Sequence, residues 1–128
     1  MKLPVQQWVW RAQYDHAHDG DTVTLYLDRG VGDYTLIPIR LLEAYAPELH
    51  GANADAGHAA ALFTQQWMID NGSSAKWPFI VRTYKPDPRE KFGRWLGRIF
   101  SVKSGRCLNE DIVAAGFATK EPNATATP

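Results

Sequence analysis

Alternation of apolar and polar residues with a period of two is the feature that most restricts how the N-terminal third of the chain can fold. Val23, Leu25 and Leu27 would lie on one side of an extended segment, with polar side chains on the other. A cluster of Gly and Asp at residues 28–33 then has the composition of a turn. The pattern predicts a meander of three β-strands, at residues 7–12, 22–27 and 34–42.

The period changes once in the middle of the chain. Residues 53–70 are rich in alanine and bring Ala59, Leu62 and Phe63 together at helical spacing, and Asn71-Gly72 is a typical helix end. Two further strands are predicted at 78–84 and 95–102, followed by a short helix at 108–115. Three strands, a helix, two strands and a helix suit a mainly β protein with helices (α+β), namely a five-stranded oligonucleotide-binding barrel, or OB-fold.

Domain organisation follows from length and from the C-terminal composition. We expect a single domain over residues 1–120 and a disordered tail over 121–128, which is low in complexity. The one cysteine, Cys107, excludes an internal disulfide. The sequence contains neither an apolar run of signal-peptide length nor a stretch of membrane-spanning length. These features predict a cytoplasmic monomer that does not bind a membrane.

The net charge is zero, but its distribution is uneven. Residues 1–75 hold four basic and nine acidic residues, whereas residues 76–106 hold nine basic and two acidic, a net charge of +7. Such a cluster is typical of phosphate binding. It is equally compatible with a solvated surface hairpin.

Asp19-Gly20-Asp21-Thr22 is the first candidate for site chemistry. Two carboxylates two residues apart point the same way on an extended segment, and hard cations prefer such oxygen ligands. The same residues are also an ordinary turn between strands. His16 and His18, just before them, are either solvent-exposed or additional ligands.

Two more segments combine charge with defined geometry. Arg40 ends a predicted strand, and Glu48 follows a proline eight residues later. Arg94 precedes another predicted strand. Arginine can hold a phosphate through two parallel hydrogen bonds, and a fixed glutamate can deprotonate a water molecule. Each residue is also compatible with an ordinary surface role.

The order and spacing of the three segments together resemble the staphylococcal nuclease family. They appear here as Asp-Gly-Asp-Thr at 19–22, Arg-Leu-Leu-Glu-Ala-Tyr-Ala-Pro-Glu at 40–48 and Phe-Gly-Arg at 92–94. The resemblance extends from about Val9 to Lys120. It implies a metal-dependent endonuclease that hydrolyses DNA and RNA with low sequence specificity, with Ca²⁺ as the expected cofactor.

The resemblance also assigns catalytic and substrate-binding roles. Arg40 and Arg94 match the two arginines that bind the scissile phosphate, and Glu48 matches the glutamate that activates the attacking water. Lys91 matches a basic residue near a terminal phosphate, and Phe92 stands where the family has a tyrosine. We expect both arginines at the mouth of a pocket, without a role in the core.

The metal site implied by the resemblance is incomplete. Asp21 matches the first metal-binding aspartate, Asp19 an outer carboxylate, and Ala46 a position that offers its backbone carbonyl. Tyr45 replaces the second aspartate, so one ligand charge is lost. Glu43, two residues earlier, would share a face with Tyr45 on a continuous strand and could take over as ligand, or it faces water. The alternative function is therefore a catalytically inactive module that binds nucleic acid or a protein partner.

Overall fold

The computed structural model describes residues 2–4, 7–86 and 94–122. The elements are β1 (Val9–Asp19), β2 (Thr22–Asp28), β3 (Tyr34–Leu41), α1 (Ala54–Asp70), β4 (Phe79–Tyr84), β5 (Trp95–Ser101) and α2 (Leu108–Ala114). The strands form a closed barrel in the order β1-β2-β3-β5-β4, and β3 and β5 pair in parallel. The predicted mainly β class, with five barrel strands and two helices, is confirmed. Most of the predicted tail, residues 123–128, lies outside the described residues.

The barrel interior is filled by the apolar side of each alternating strand. Val23 and Leu25 of β2 are fully buried, as are Ile39 of β3, Val81 of β4 and Ile99 of β5. Burying these branched side chains on one face leaves the alternate residues of each strand outside. The period-two pattern thus fixes which face of β2 and β3 remains available to a ligand.

β1 is longer than the sequence predicts, and its irregular register explains why. The ladder with β2 shifts between Tyr14 and His16 and again between Ala17 and Asp19. Ala12 and Ala17 are both buried although they are five residues apart, which strict alternation does not allow. An inserted residue re-phases a strand in this way. Because of the bulges, the alternation pattern predicts too short a strand, whereas β1 continues to Asp19.

Helix α1 lies against β1 through small residues, which allow its backbone to come close to the barrel. Its buried side is formed by Gly57, Ala60, Ala61, Thr64, Trp67 and Met68. The Thr64 hydroxyl donates a hydrogen bond to the Gly20 carbonyl at 2.7 Å, and the Gln65 amide donates to the Ala17 carbonyl at 3.0 Å. The helix therefore holds the turn between β1 and β2 in place.

Helix α2 secures the barrel where β3 and β5 meet. The buried Asn109 side-chain amide donates to the carbonyls of Leu42 and Gly97, both at 2.9 Å. Its side-chain oxygen accepts from the Ile99 amide at 3.1 Å. Within the described parts of the chain, no helix is long and apolar enough to span a membrane.

Candidate functional site

A pocket of about 530 Å³ opens at the end of the barrel where β2 begins and β3 ends. Five segments contribute to it: the end of β1 with the β1–β2 turn, the end of β3, the loop after β3, the residue that precedes β5, and Pro122 after α2. It brings together seven residues that the sequence assigned to the site: Asp19, Asp21, Arg40, Tyr45, Ala46, Glu48 and Arg94. Lys91 and Phe92 lie outside the described residues.

Asp21 is the polar centre of the pocket floor. Its Oδ2 accepts a hydrogen bond from the Ala46 amide at 3.0 Å and lies 3.5 Å from Nη1 of Arg40. Its own amide donates to Oδ1 of Asp19 at 3.3 Å. The Asp-Gly-Asp segment is thus both the predicted turn and the acidic wall of the pocket. Gly20 is required between the two carboxylates, since a Cβ there would lie 2.7 Å from that of Ala60 in α1.

The electrostatics of Asp21 reflect its burial. Loss of solvent raises the pKa of its carboxyl from 3.8 to about 6, against the opposing attraction of the Arg40 guanidinium. The neighbouring carboxylate of Asp19 also contributes to this raised pKa. A second positive charge near Asp21 would therefore be favourable, because it would stabilise an ionised group that burial disfavours.

Arg40 is an internal anchor, contrary to the expectation that it has no core role. It is only 8% exposed, and its Nη1 donates to the carbonyls of Leu41 and Ala44, both at 3.0 Å. The ring of Tyr45 covers the guanidinium, with 4.7 Å between Cζ and the ring centre. Arg40 thus fixes the loop after β3 as well as lining the pocket.

Arg94 and Glu48 occupy more exposed positions in the pocket. Arg94 is half-buried, and its Nη1 donates to the Thr22 hydroxyl at 2.9 Å. Thr22 is the cross-strand partner of Arg40, so the two guanidinium groups belong to the same end of the β2–β3 ladder. Glu48 is exposed on the opposite loop. His50, which the sequence analysis missed, also lines the pocket, two residues after Glu48.

Glu43 does not lie where the sequence analysis placed it. β3 ends at Leu41 and Glu43 has a φ of 55°, so the continuous strand that would join its face to that of Tyr45 does not exist. Its carboxylate instead pairs with Arg98 at 2.9 Å and lines a separate pocket. The idea that Glu43 replaces the missing ligand is therefore wrong for this arrangement.

The carboxylates of the pocket were tested as a cation site. Among the residues that the structure describes, no three or more His, Cys, Asp or Glu side chains are grouped as metal ligands. Asp19 and Asp21 supply two carboxylates, far fewer oxygens than the six to eight that Ca²⁺ takes. This set does not make an all-protein calcium cage. It fits a loosely held divalent cation whose other ligands are water and a substrate phosphate.

No protein-family model matches the chain, and no match was found among curated proteins. Its function therefore has to be inferred from the chemistry of the pocket.

Proposed function

We propose that the chain is a metal-dependent nuclease of the staphylococcal type, which hydrolyses phosphodiester bonds of DNA or RNA with little sequence preference. The observation that carries the proposal is the convergence in one pocket of two carboxylates, two arginines and a glutamate from four separate segments. The strand order β1-β2-β3-β5-β4, with a helix between β3 and β4, supports an OB-type barrel.

In the proposed reaction the side chains of the chain bind the phosphate and prepare the water. Arg94 holds the phosphate through its guanidinium, and Arg40, fixed by two backbone carbonyls, presents a rigid positive charge beside it. Glu48 accepts a proton from the attacking water. Asp19 and Asp21 are the residues that would hold a divalent cation, which when bound neutralises charge on the phosphate.

The expected rates follow from these roles. An arginine aimed at a phosphoryl transition state contributes about 10³–10⁵ in rate, and a general base about 10²–10⁴. Arginines and a glutamate for these two roles line the pocket, whereas Tyr45 stands where the family has one carboxylate of the cation site. We therefore expect a slow nuclease that needs a high concentration of metal.

The direct test is hydrolysis of single-stranded DNA, duplex DNA and RNA with Mg²⁺, Ca²⁺ or Mn²⁺ beside a chelator control. Arg94→Gln should lower turnover by about 10³ or more. Arg82→Gln, which changes an exposed arginine on β4, is the matched control and should cleave normally. Full activity in chelator, or normal turnover by Arg94→Gln, would contradict the mechanism.

Two observations favour a second function, a binding module without catalysis. The Tyr45 ring lies on Arg40, and the described residues form no group of three metal-ligating side chains. A protein of this kind would bind oligonucleotides in chelator and cleave none of them with any of the three metals. Measuring both properties on the same preparation separates the two functions.

A further inference from the structure

Three aromatic side chains form a cluster outside the pocket. Tyr26 of β2, Tyr34 of β3 and Trp77, which precedes β4, have ring centres 5.8, 5.9 and 6.3 Å apart, and their planes lie within 16° of one another. Three nearly equal distances exclude a column, in which the outer two rings would be about twice as far apart as neighbours. The rings are therefore nearly parallel and offset from one another, and we call this cluster the aromatic platform. Tyr26 and Tyr34 are 38% and 45% exposed.

Two basic side chains lie over the Trp77 ring of this platform. The Arg11 guanidinium lies 5.7 Å and the Lys76 ammonium 5.8 Å from the centre of the Trp77 ring. Asp28 pairs with Arg11 and balances one of the two charges. Lys76 belongs to the basic segment identified from the sequence. A ligand with a flat ring and a nearby anionic group would complement this surface.

The platform and the pocket lie on one continuous face of the β2–β3 ladder. The cross-strand pairs run without a register shift from Thr22–Arg40 at the pocket, through Thr24–Pro38 and Tyr26–Leu36, to Asp28–Tyr34 at the platform. Every second residue of a strand shares a face, so these side chains lie on the outer side of the ladder, where the loop after β3 covers Arg40. From residue 22 at the pocket to residue 28 at the platform, the face is roughly 20 Å long, at about 3.4 Å per residue.

We propose that this face is a binding track for single-stranded nucleic acid, with bases stacked on the platform of Tyr26, Tyr34 and Trp77 and phosphates near Arg11 and Lys76. A single strand alternates flat bases with phosphates, which the aromatic and cationic groups match. A neutral glycan would match only the rings. The length fits the roughly 4–16 nucleotides that one barrel of this kind covers. The binding track rests on the proposed function only in that both take nucleic acid as the ligand. Binding to the track does not require cleavage.

The test is fluorescence anisotropy with labelled oligo-dT of 12 nucleotides, in chelator so that no cleavage occurs. Trp77→Ala and Tyr34→Ala should each weaken binding about 5- to 150-fold, which is the range for loss of one stacked base. Trp77→Phe should restore most of the affinity. Trp8→Ala removes a 47% exposed ring elsewhere and should bind normally. Lys76→Gln should reduce the salt dependence by about one phosphate contact.

The outcomes separate the track from the nuclease. Weaker binding by the platform variants without cleavage by the wild type would support the track and reject the nuclease. Cleavage by the wild type, with unchanged binding by both Trp77→Ala and Tyr34→Ala, would support the nuclease and reject the track. Wild-type protein that neither binds nor cleaves oligonucleotides would reject both. Tighter binding of a neutral oligosaccharide than of oligo-dT, or a dimer that Tyr34→Ala dissociates, would also overturn the track.

Discussion

Within the pocket, three neighbouring side chains affect one another's charge and exposure to water: Asp21, Arg40 and Tyr45. The guanidinium of Arg40 partly offsets the cost of burying the Asp21 carboxylate, and the Tyr45 ring shields that guanidinium from water. A carboxylate at position 45 would instead compete with Asp21 for the same positive charge. The residue at position 45 therefore affects the balance of charge in the pocket.

We expect the stability of the protein to depend on the ionisation of Asp21. Its pKa is about 6 in the folded state, above the ordinary 3.8, so the unfolded chain ionises first as the pH rises. Between about pH 4 and pH 6 this group therefore makes folding progressively less favourable, by up to about 3 kcal/mol. Asp21→Asn does not titrate. Urea unfolding in chelator from pH 4 to 8 should show the variant gaining stability relative to wild type, and a constant difference would argue against the raised pKa.

Tyr45→Asp should strengthen divalent cation binding. It adds a carboxylate to the pocket and removes the ring from Arg40. Because loss of even an indirect metal partner costs about 10–100-fold, we expect at least a tenfold gain in affinity by calorimetry, and faster cleavage at low metal. Without metal the variant should be less stable, since it loses a cation–π contact of roughly 0.5–2 kcal/mol. Tyr45→Phe keeps the ring and should bind metal as the wild type does. Equal affinities for all three proteins would count against a cation site here.

Among the secondary-structure elements, α1 does most to shape the pocket, although it contributes none of the charged groups identified there. It holds the β1–β2 turn through Thr64 and Gln65. Its first turns also touch the loop that carries Glu48, because a Cβ at Gly57 would lie 2.1 Å from the Glu48 carbonyl oxygen. Helix α1 therefore positions both the turn that carries Asp19 and Asp21 and the loop that carries Glu48.

Gly57→Ala tests this contact, because the contact decides whether the substitution raises or lowers the stability of the protein. In an unconstrained helix, alanine is about 1 kcal/mol better than glycine. Here the added methyl group must displace the backbone of residues 47–48, so we expect a loss of roughly 1–3 kcal/mol in urea unfolding and reduced cleavage through displaced Glu48. Ala56→Gly, at an exposed position of the same helix, should cost about 1 kcal/mol and leave cleavage intact. A more stable Gly57→Ala protein would show that the loop does not constrain the helix.

For the whole molecule, closure of the barrel depends on a short parallel pairing. β3 and β5 pair only over Ile39–Leu41 and Trp95–Gly97, and Asn109 of α2 bonds to backbone groups on both sides of this junction. Arg40 and Arg94 lie at the same junction, at the end of one strand and just before the other. Loss of closure would therefore separate the two arginines of the site.

Asn109→Leu should lower the thermal midpoint by 10 °C or more. The substitution keeps the volume but leaves the Leu42 carbonyl and the Ile99 amide without a partner, at about 1–3 kcal/mol each. The Gly97 carbonyl loses one of its two hydrogen bonds and keeps the one from the Leu42 amide. Differential scanning calorimetry measures the shift, with the exposed Glu110→Gln as a control that should melt like the wild type. A shift of only a few degrees would show that water replaces these hydrogen bonds and that closure does not depend on α2.

The sequence by itself determined the features that depend on near neighbours. Alternation identified β2 and β3 almost to their ends, Asn71-Gly72 marked the end of α1, and Asp19 to Thr22 formed the predicted turn. These follow from side-chain period and turn chemistry, which act over a few residues.

Only the tertiary structure decided which distant groups meet. Glu43 turns away from Tyr45 to pair with Arg98, 55 residues further along the chain. Arg40 is buried because the loop after β3 folds over it, and Trp77 joins Tyr26 and Tyr34 because closing the barrel brings their segments together. Such contacts depend on strand register and bulges, and the one-residue shifts within β1 leave no trace in a period-two pattern. Seven residues that line the pocket could therefore be named from the sequence, whereas their partners and exposure were set by the way the barrel closes.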